Sequence, residues 1–151
     1  KKNEILDKKI KIIETNRGGK ITLHNPGQKI VYFVFDLNKK KKDIRNLVKQ
    51  IELSIIEFLK LYNIKSYTDK KNIGIWVKGK KIAAIGIRVS QWIAYHGCSI
   101  NINNNLDHYK KIIPCGLSNN RITSMQVETK KKITDIEKNL KKIFIKNLKN
   151  I

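Results

Sequence analysis

GIWVKGKKIAAIGIRVSQWIAYHGCSINI (74–102) decides the fold class. Three apolar, β-branched runs follow one another in it without a helix between them: 74–78, 81–89 and 93–102. The first two flank Gly79-Lys80, a spacing that suits a hairpin with a tight turn. Upstream, KIVYFVFDL (29–37) is β-branched and aromatic throughout and reads as a buried strand. Shorter strands are expected at 10–15 (IKIIET) and 21–24 (ITLH), around an Arg17-Gly18-Gly19 turn. A lysine cluster at 39–42 leads into the clearest helix, 43–62. There Ile44, Leu47, Val48, Ile51, Ile55, Phe58, Leu59 and Tyr62 recur at spacings of three and four and mark one apolar face. A short helical turn near 105–111 and a loop through Ile113-Pro114-Cys115-Gly116 come next. A closing helix within 132–149 carries Ile133, Ile136, Leu140, Ile143 and Leu148, with lysines on its other side. Strands in runs, rather than in strict alternation with helices, predict an α+β fold: a mixed sheet packed against helices. No repeat, linker or second domain interrupts residues 1–151.

The composition excludes most other classes. At 151 residues and 40% hydrophobic, the chain can bury a proper core, so global disorder is ruled out. No apolar run approaches the roughly 18–20 residues of a membrane span. Two cysteines are too few for a disulfide framework. A reduced, cytoplasmic setting is therefore expected, with no membrane partner. The chain opens Lys1-Lys2-Asn3, without Met or a secretory signal, so a fragment or trimmed form is expected.

The formal net charge of +21 comes from 29 Lys and only 4 Arg, alongside 27 Ile and 16 Asn. That mixture reads first as compositional drift onto a tolerant surface. Phosphate recognition favours the forked guanidinium of Arg, and single-strand binders interleave stacking aromatics, which are 7% here. A non-catalytic nucleic-acid-binding module is thus the weaker reading. Whatever its origin, the field steers acidic partners toward the chain.

Three clusters can carry chemistry. Three of the eight glycines fall at 18, 19 and 27, within RGGKITLHNPGQ (17–28). They build either two ordinary turns or a concave main-chain surface rimmed by Arg17 and His24. In KIAAIGIR (81–88), small residues at 83, 84 and 86 leave room beside a strand headed by Lys81; taken alone, Lys81 is one solvated lysine among many. In Ile113-Pro114-Cys115-Gly116-Leu117, a cysteine between Pro and Gly sits on a turn that presents its sulfur. Such a thiol becomes a nucleophile when a base or positive charge favours the thiolate, and Lys81, His24 and His96 are available for that. Cys98, on a strand, reads as structural. His24, His96, His108 and the cysteines show no pair with zinc-motif spacing.

RGGKITLHNPGQ, KIAAIGIRV, HGCSIN (96–101) and IPCGL (113–117), in this order, resemble the signature blocks of the lipoyl(octanoyl) transferases, within the biotin/lipoate protein ligase fold group. The resemblance runs from about residue 10 to the C-terminus. It implies that Cys115 carries the acyl group as a thioester and that Lys81 lowers its pKa and shuttles the proton. It implies that Arg17, Gly18, Gly19, Lys20, Ile21, Thr22, Leu23 and His24 form one wall of the acyl pocket. Ala84, Ile85 and Gly86, with Gly97, Cys98 and Ser99, match two further stretches that line it. Octanoyl-acyl carrier protein is the implied donor. The implied acceptors are lipoyl domains of 2-oxoacid dehydrogenase complexes and the glycine-cleavage H protein. No metal, nucleotide or nucleic acid is needed, and a monomer is expected. The alternative in the same fold is an ATP-dependent lipoate or biotin ligase, which makes an acyl-adenylate and uses no catalytic thiol. Asn25 stands where the family carries Gly, and the family's N-terminal strand-and-helix segment is expected to be missing before Lys1.

Overall fold

The computed structural model describes residues 5–7, 12–18, 21–70, 72–112, 121–149 and 151. Its strands are β1 (Gln28–Asp36), β2 (Tyr67–Thr68), β3 (Ile75–Val77), β4 (Lys80–Ser90) and β5 (Ile93–Asn101). Its helices are α1 (Ile44–Leu61), α2 (Met125–Glu128) and α3 (Ile136–Leu148), with 3-10 turns at Leu37–Lys39 and Leu106–Lys111. The strands form one sheet in the order β1-β5-β4-β3-β2, every neighbouring pair antiparallel. An isolated parallel bridge joins Lys81 to Ile122.

Alternation along β4 and β5 sorts the residues onto two faces. Their register pairs Ala83 with Ile100, Ala84 with Ser99, Ile85 with Cys98 and Gly86 with Gly97. One face, carrying Ala83, Ile85, Cys98 and Ile100, packs against α1 and α3. Helix α1 contributes Leu47, Ile51, Ile55, Phe58 and Leu59, all fully buried at the predicted spacing. Asp43 caps its start by accepting from the Asn46 amide (2.9 Å). Asn63, in the left-handed region, ends it while the Ile64 amide returns to the Leu59 carbonyl (3.1 Å). Helix α3 adds Leu140, Ile143 and Phe144 to the core and is tied to α1 by the Lys146–Glu57 ion pair and by Asn147. The Lys146 ammonium holds the Glu57 carboxyl below its ordinary value.

Three expectations are corrected. Residues 12–17 and 21–24 form no strand; between them the Gly18 amide bonds the Ile87 carbonyl (3.2 Å). The β3–β4 turn centres on Lys78-Gly79, one residue earlier than expected. Both central residues have positive φ (48° and 77°), so the glycine occupies the second position of a type I′ turn. β1, read as a buried strand, instead ends the described sheet with Tyr32 and Val34 exposed, whereas α3 runs within the expected 132–149, starting after Asp135 at a left-handed φ of 56°.

Candidate active site around Lys81

Lys81 is the second residue of β4 and is only 6% exposed. Its alkyl stem runs under Gly74, where an added Cβ would lie 2.5 Å from the Lys81 Cε; glycine there leaves the stem its channel. Its Nζ stands 5.4 Å from the centre of the Trp76 ring. Lys81 takes part in none of the ion pairs formed among the described residues. Beside it is a cavity of about 20 Å³, lined by Thr22, Lys81, Ala83, Ala84, Ser99, Asn101, Tyr109 and Ile122. That is room for a single water-sized group.

The chain returns to Lys81 after residue 120. The Thr123 amide donates to the Lys81 carbonyl (3.0 Å) next to the Ile122 bridge. Thr123 Oγ1 donates to Glu128 Oε1 (2.7 Å), and Glu128 pairs with Lys78 (3.2 Å). On the other side of residues 113–120, Ile112 is bridged to Ile5, and Tyr109 lies in the cavity wall.

Of the residues singled out from the sequence, Lys81, Thr22, Ala84 and Ser99 meet at this cavity. Arg17 and Gly18 lie further along β4. The Gly18 amide bonds the Ile87 carbonyl, and a Cβ on Gly86 would come within 3.2 Å of Arg17 Cδ. Gly97 sits opposite Gly86, and a Cβ there would run into the Val31 carbonyl. Ile21 and Leu23 are half-buried in the covering segment, and His24 is exposed with Nδ1 3.1 Å from Gln28 Oε1. Ile85 and Cys98 belong to the opposite face, in the core. Burial pushes the Cys98 thiol up to about 12, which makes it a packing group and no nucleophile. His96 faces Asn16 (2.8 Å), away from the Lys81 cavity lining. Gly19, Lys20 and Cys115 lie outside the described residues.

Asn101, Tyr109, Gln28 and Ile122 were not singled out from the sequence as site residues. Gln28 reaches Asn101 and Tyr109 across 73 and 81 positions, so no local spacing announces those contacts, although Gln28 and Asn101 close two of the quoted blocks. Asn25, the departure from the family pattern, ties its turn to the neighbouring segment: it donates to the Asn105 carbonyl (2.9 Å) and accepts from Asn104 (3.1 Å). Among the described residues, no group of three His, Cys, Asp or Glu side chains converges as metal ligands, and no helix is long and apolar enough to cross a membrane.

The family model for the lipoyl protein ligase A/B catalytic domain matches residues 1–147. The chain belongs to this family. An octanoyltransferase of Wolbachia pipientis subsp. Culex pipiens is 41% identical over 150 residues, covering 95% of this chain and 73% of the relative. In shape the chain is similar to lipoate-protein ligase A bound with ATP, with a TM-score of 0.74, 13% identity, and 89% of this chain and 57% of that one covered. It is also similar to the apo biotin protein ligase of Aquifex aeolicus, with a TM-score of 0.64, 20% identity, and 82% and 54% covered. The fold is therefore that of the lipoate and biotin protein ligases. The chain spans about half to three quarters of the length of the curated relatives it matches.

Proposed function

We propose that residues 1–151 form one catalytic domain that moves an octanoyl group from octanoyl-acyl carrier protein, through a thioester on Cys115, to the lysine of lipoyl domains. Octanoyltransferases at 41–45% identity support the reading. The observation that carries it is Lys81: a buried lysine outside every described ion pair, at a cavity walled by both flanks of the segment 113–120. Cys115 is three residues from Ile112, which covalent geometry limits to about 11 Å.

In the first half-reaction the Lys81 amine takes the proton of the Cys115 thiol, and the thiolate attacks the octanoyl thioester carbonyl. The carrier's thiolate leaves and takes that proton from Lys81, which returns to the neutral amine. In the second, the acceptor lysine amine attacks the Cys115 thioester while Lys81 takes up a proton from it, and the Cys115 sulfur leaves. The incoming thioester is already activated, so neither half-reaction draws on a nucleotide or metal. Acyl carrier protein and the lipoyl domains of 2-oxoacid dehydrogenase complexes and of the glycine-cleavage H protein are the partners. The enzyme works in the cytoplasm as a monomer, and its charge of +21 draws acidic partners in.

Intact-protein mass spectrometry after mixing with octanoyl-acyl carrier protein tests this. The expected result is one octanoyl adduct, kept in Cys98→Ser and absent in Cys115→Ser. Use of free octanoate with ATP, and none of the carrier-bound thioester, would replace the proposal with the ligase reading.

A further inference from the structure

We propose that Asn101 is a positioning residue for the Lys81 cavity: its amide holds the Thr123 main chain beside Lys81 and, through Gln28, sets which ring nitrogen of His24 carries the proton. Asn101 is 5% exposed, at the end of β5. Its Nδ2 donates to the Thr123 carbonyl (2.9 Å), a group that can only accept, so the orientation of the amide is fixed. Oδ1 is then an acceptor on its other side, where Gln28 Nε2 (2.9 Å) and the Tyr109 hydroxyl (3.1 Å) donate to it. The second hydrogen of Gln28 Nε2 goes to the Tyr109 oxygen (2.6 Å). That leaves Gln28 Oε1, a pure acceptor, facing His24 Nδ1 at 3.1 Å. Neutral His24 must therefore hold its proton on Nδ1 and keep the Nε2 lone pair for the solvent side.

At the other end, the Thr123 amide passes the constraint to the Lys81 carbonyl. One side chain thus links β1, β5, the Leu106–Lys111 turn and the strand end that presents Lys81. Its value to turnover rests on the reading above, in which Lys81 moves the proton; its geometry does not.

Two variants separate the arms. Asn101→Asp keeps acceptors toward Gln28 and Tyr109 but turns a carboxylate oxygen on the Thr123 carbonyl. Asn101→Leu removes both sides. In Asn101→Asp, amide exchange at Thr123 should quicken about tenfold or more while β1–β5 amides keep their protection. Its kcat should fall about tenfold with KM within about twofold, and ¹⁵N NMR should still show His24 protonated on Nδ1. In Asn101→Leu that tautomer preference should be lost as well; if this variant does not fold, Gln28→Leu reads the same arm. The proposal is overturned if wild-type His24 carries its proton on Nε2. It is equally overturned if Thr123 exchange and kcat in Asn101→Asp match wild type. Wild-type protein that takes no octanoyl group would sink the enzymatic reading instead, while exchange and tautomer would still report on Asn101.

Discussion

The two faces of the β4–β5 hairpin are built from alternate residues of the same strands, yet they obey different rules. On the helix side, Ile82, Ala83, Cys98 and Ile100 are buried in a continuous apolar core, and size and shape decide each position. On the open side, Ala84, Gly86, Gly97 and Ser99 are small, and Asn101 forms three hydrogen bonds. There the missing side-chain volume matters most: it admits the 16–18 segment, the Lys81 cavity and the returning chain at Thr123. Tight packing is concentrated on the first face and the proposed chemistry on the second, with a single residue step between them.

The sharpest way to break this contrast is Lys81→Ala. Transfer should fall about 10³-fold, within the range for loss of a positioned proton carrier, with the melting temperature within a few degrees of wild type. Equal losses in rate and stability would assign Lys81 to the core instead. Ile100→Ala, on the opposite face, should cost about 3 kcal/mol in urea unfolding, and the fraction still folded should turn over normally. A smaller effect belongs to Cys98. Its thiol is held protonated in the fold, with its pKa pushed up to about 12 from 9.0. The unfolded chain loses that proton first, so stability should decline as pH rises above about 9 and level off beyond 12. Cys98→Ala should remove that alkaline slope in pH-dependent unfolding, and native Cys98 should resist alkylation at pH 6–9. The smallest change is at the hairpin's own turn, where Gln91 and Trp92 both take positive φ (50° and 63°) without a glycine. Gln91→Asn, better suited to that conformation, should stabilise by about 0.5 kcal/mol or less, seen as a slight rise in melting temperature.

Legibility follows the same division. The core face was readable because its information is periodic: α1, β4 and β5 fall where apolar spacing places them, while β1 was placed in sequence but not in depth, being a rim strand rather than a buried one. The α+β class followed from their order. ITLH at 21–24 has strand-like residues but no strand to pair with, so propensity misled there. β2 and α2, at two and four residues, are too short to show a period. Of the residues lining the Lys81 cavity, Lys81, Thr22, Ala84 and Ser99 were picked out through their blocks. Ile85 and Cys98 lay inside the same blocks but on the wrong side of the pleat. A contiguous motif in a strand necessarily mixes both faces, and only alternation separates them. The Asn101–Tyr109–Gln28 cluster was invisible because its members meet only after the sheet closes.

Among the described residues strand β1 pairs with β5 alone and stands at the rim of the sheet. Its sequence KIVYFVF contains no proline and no internal charge, and Tyr32 and Val34 are 73% and 76% exposed. Beside it, a groove of about 660 Å³ runs along α3, with Lys40, Lys141 and Lys149 among its lining residues. Such a rim is a template for fibrous growth. What opposes that growth is colloidal: copies each carrying +21 repel over a screening length near 10 Å at 0.1 M salt, which shrinks to about 3 Å at 1 M. The lysine excess thus also acts as a dispersant, and concentrated brine is the condition in which this protein should first turn cloudy.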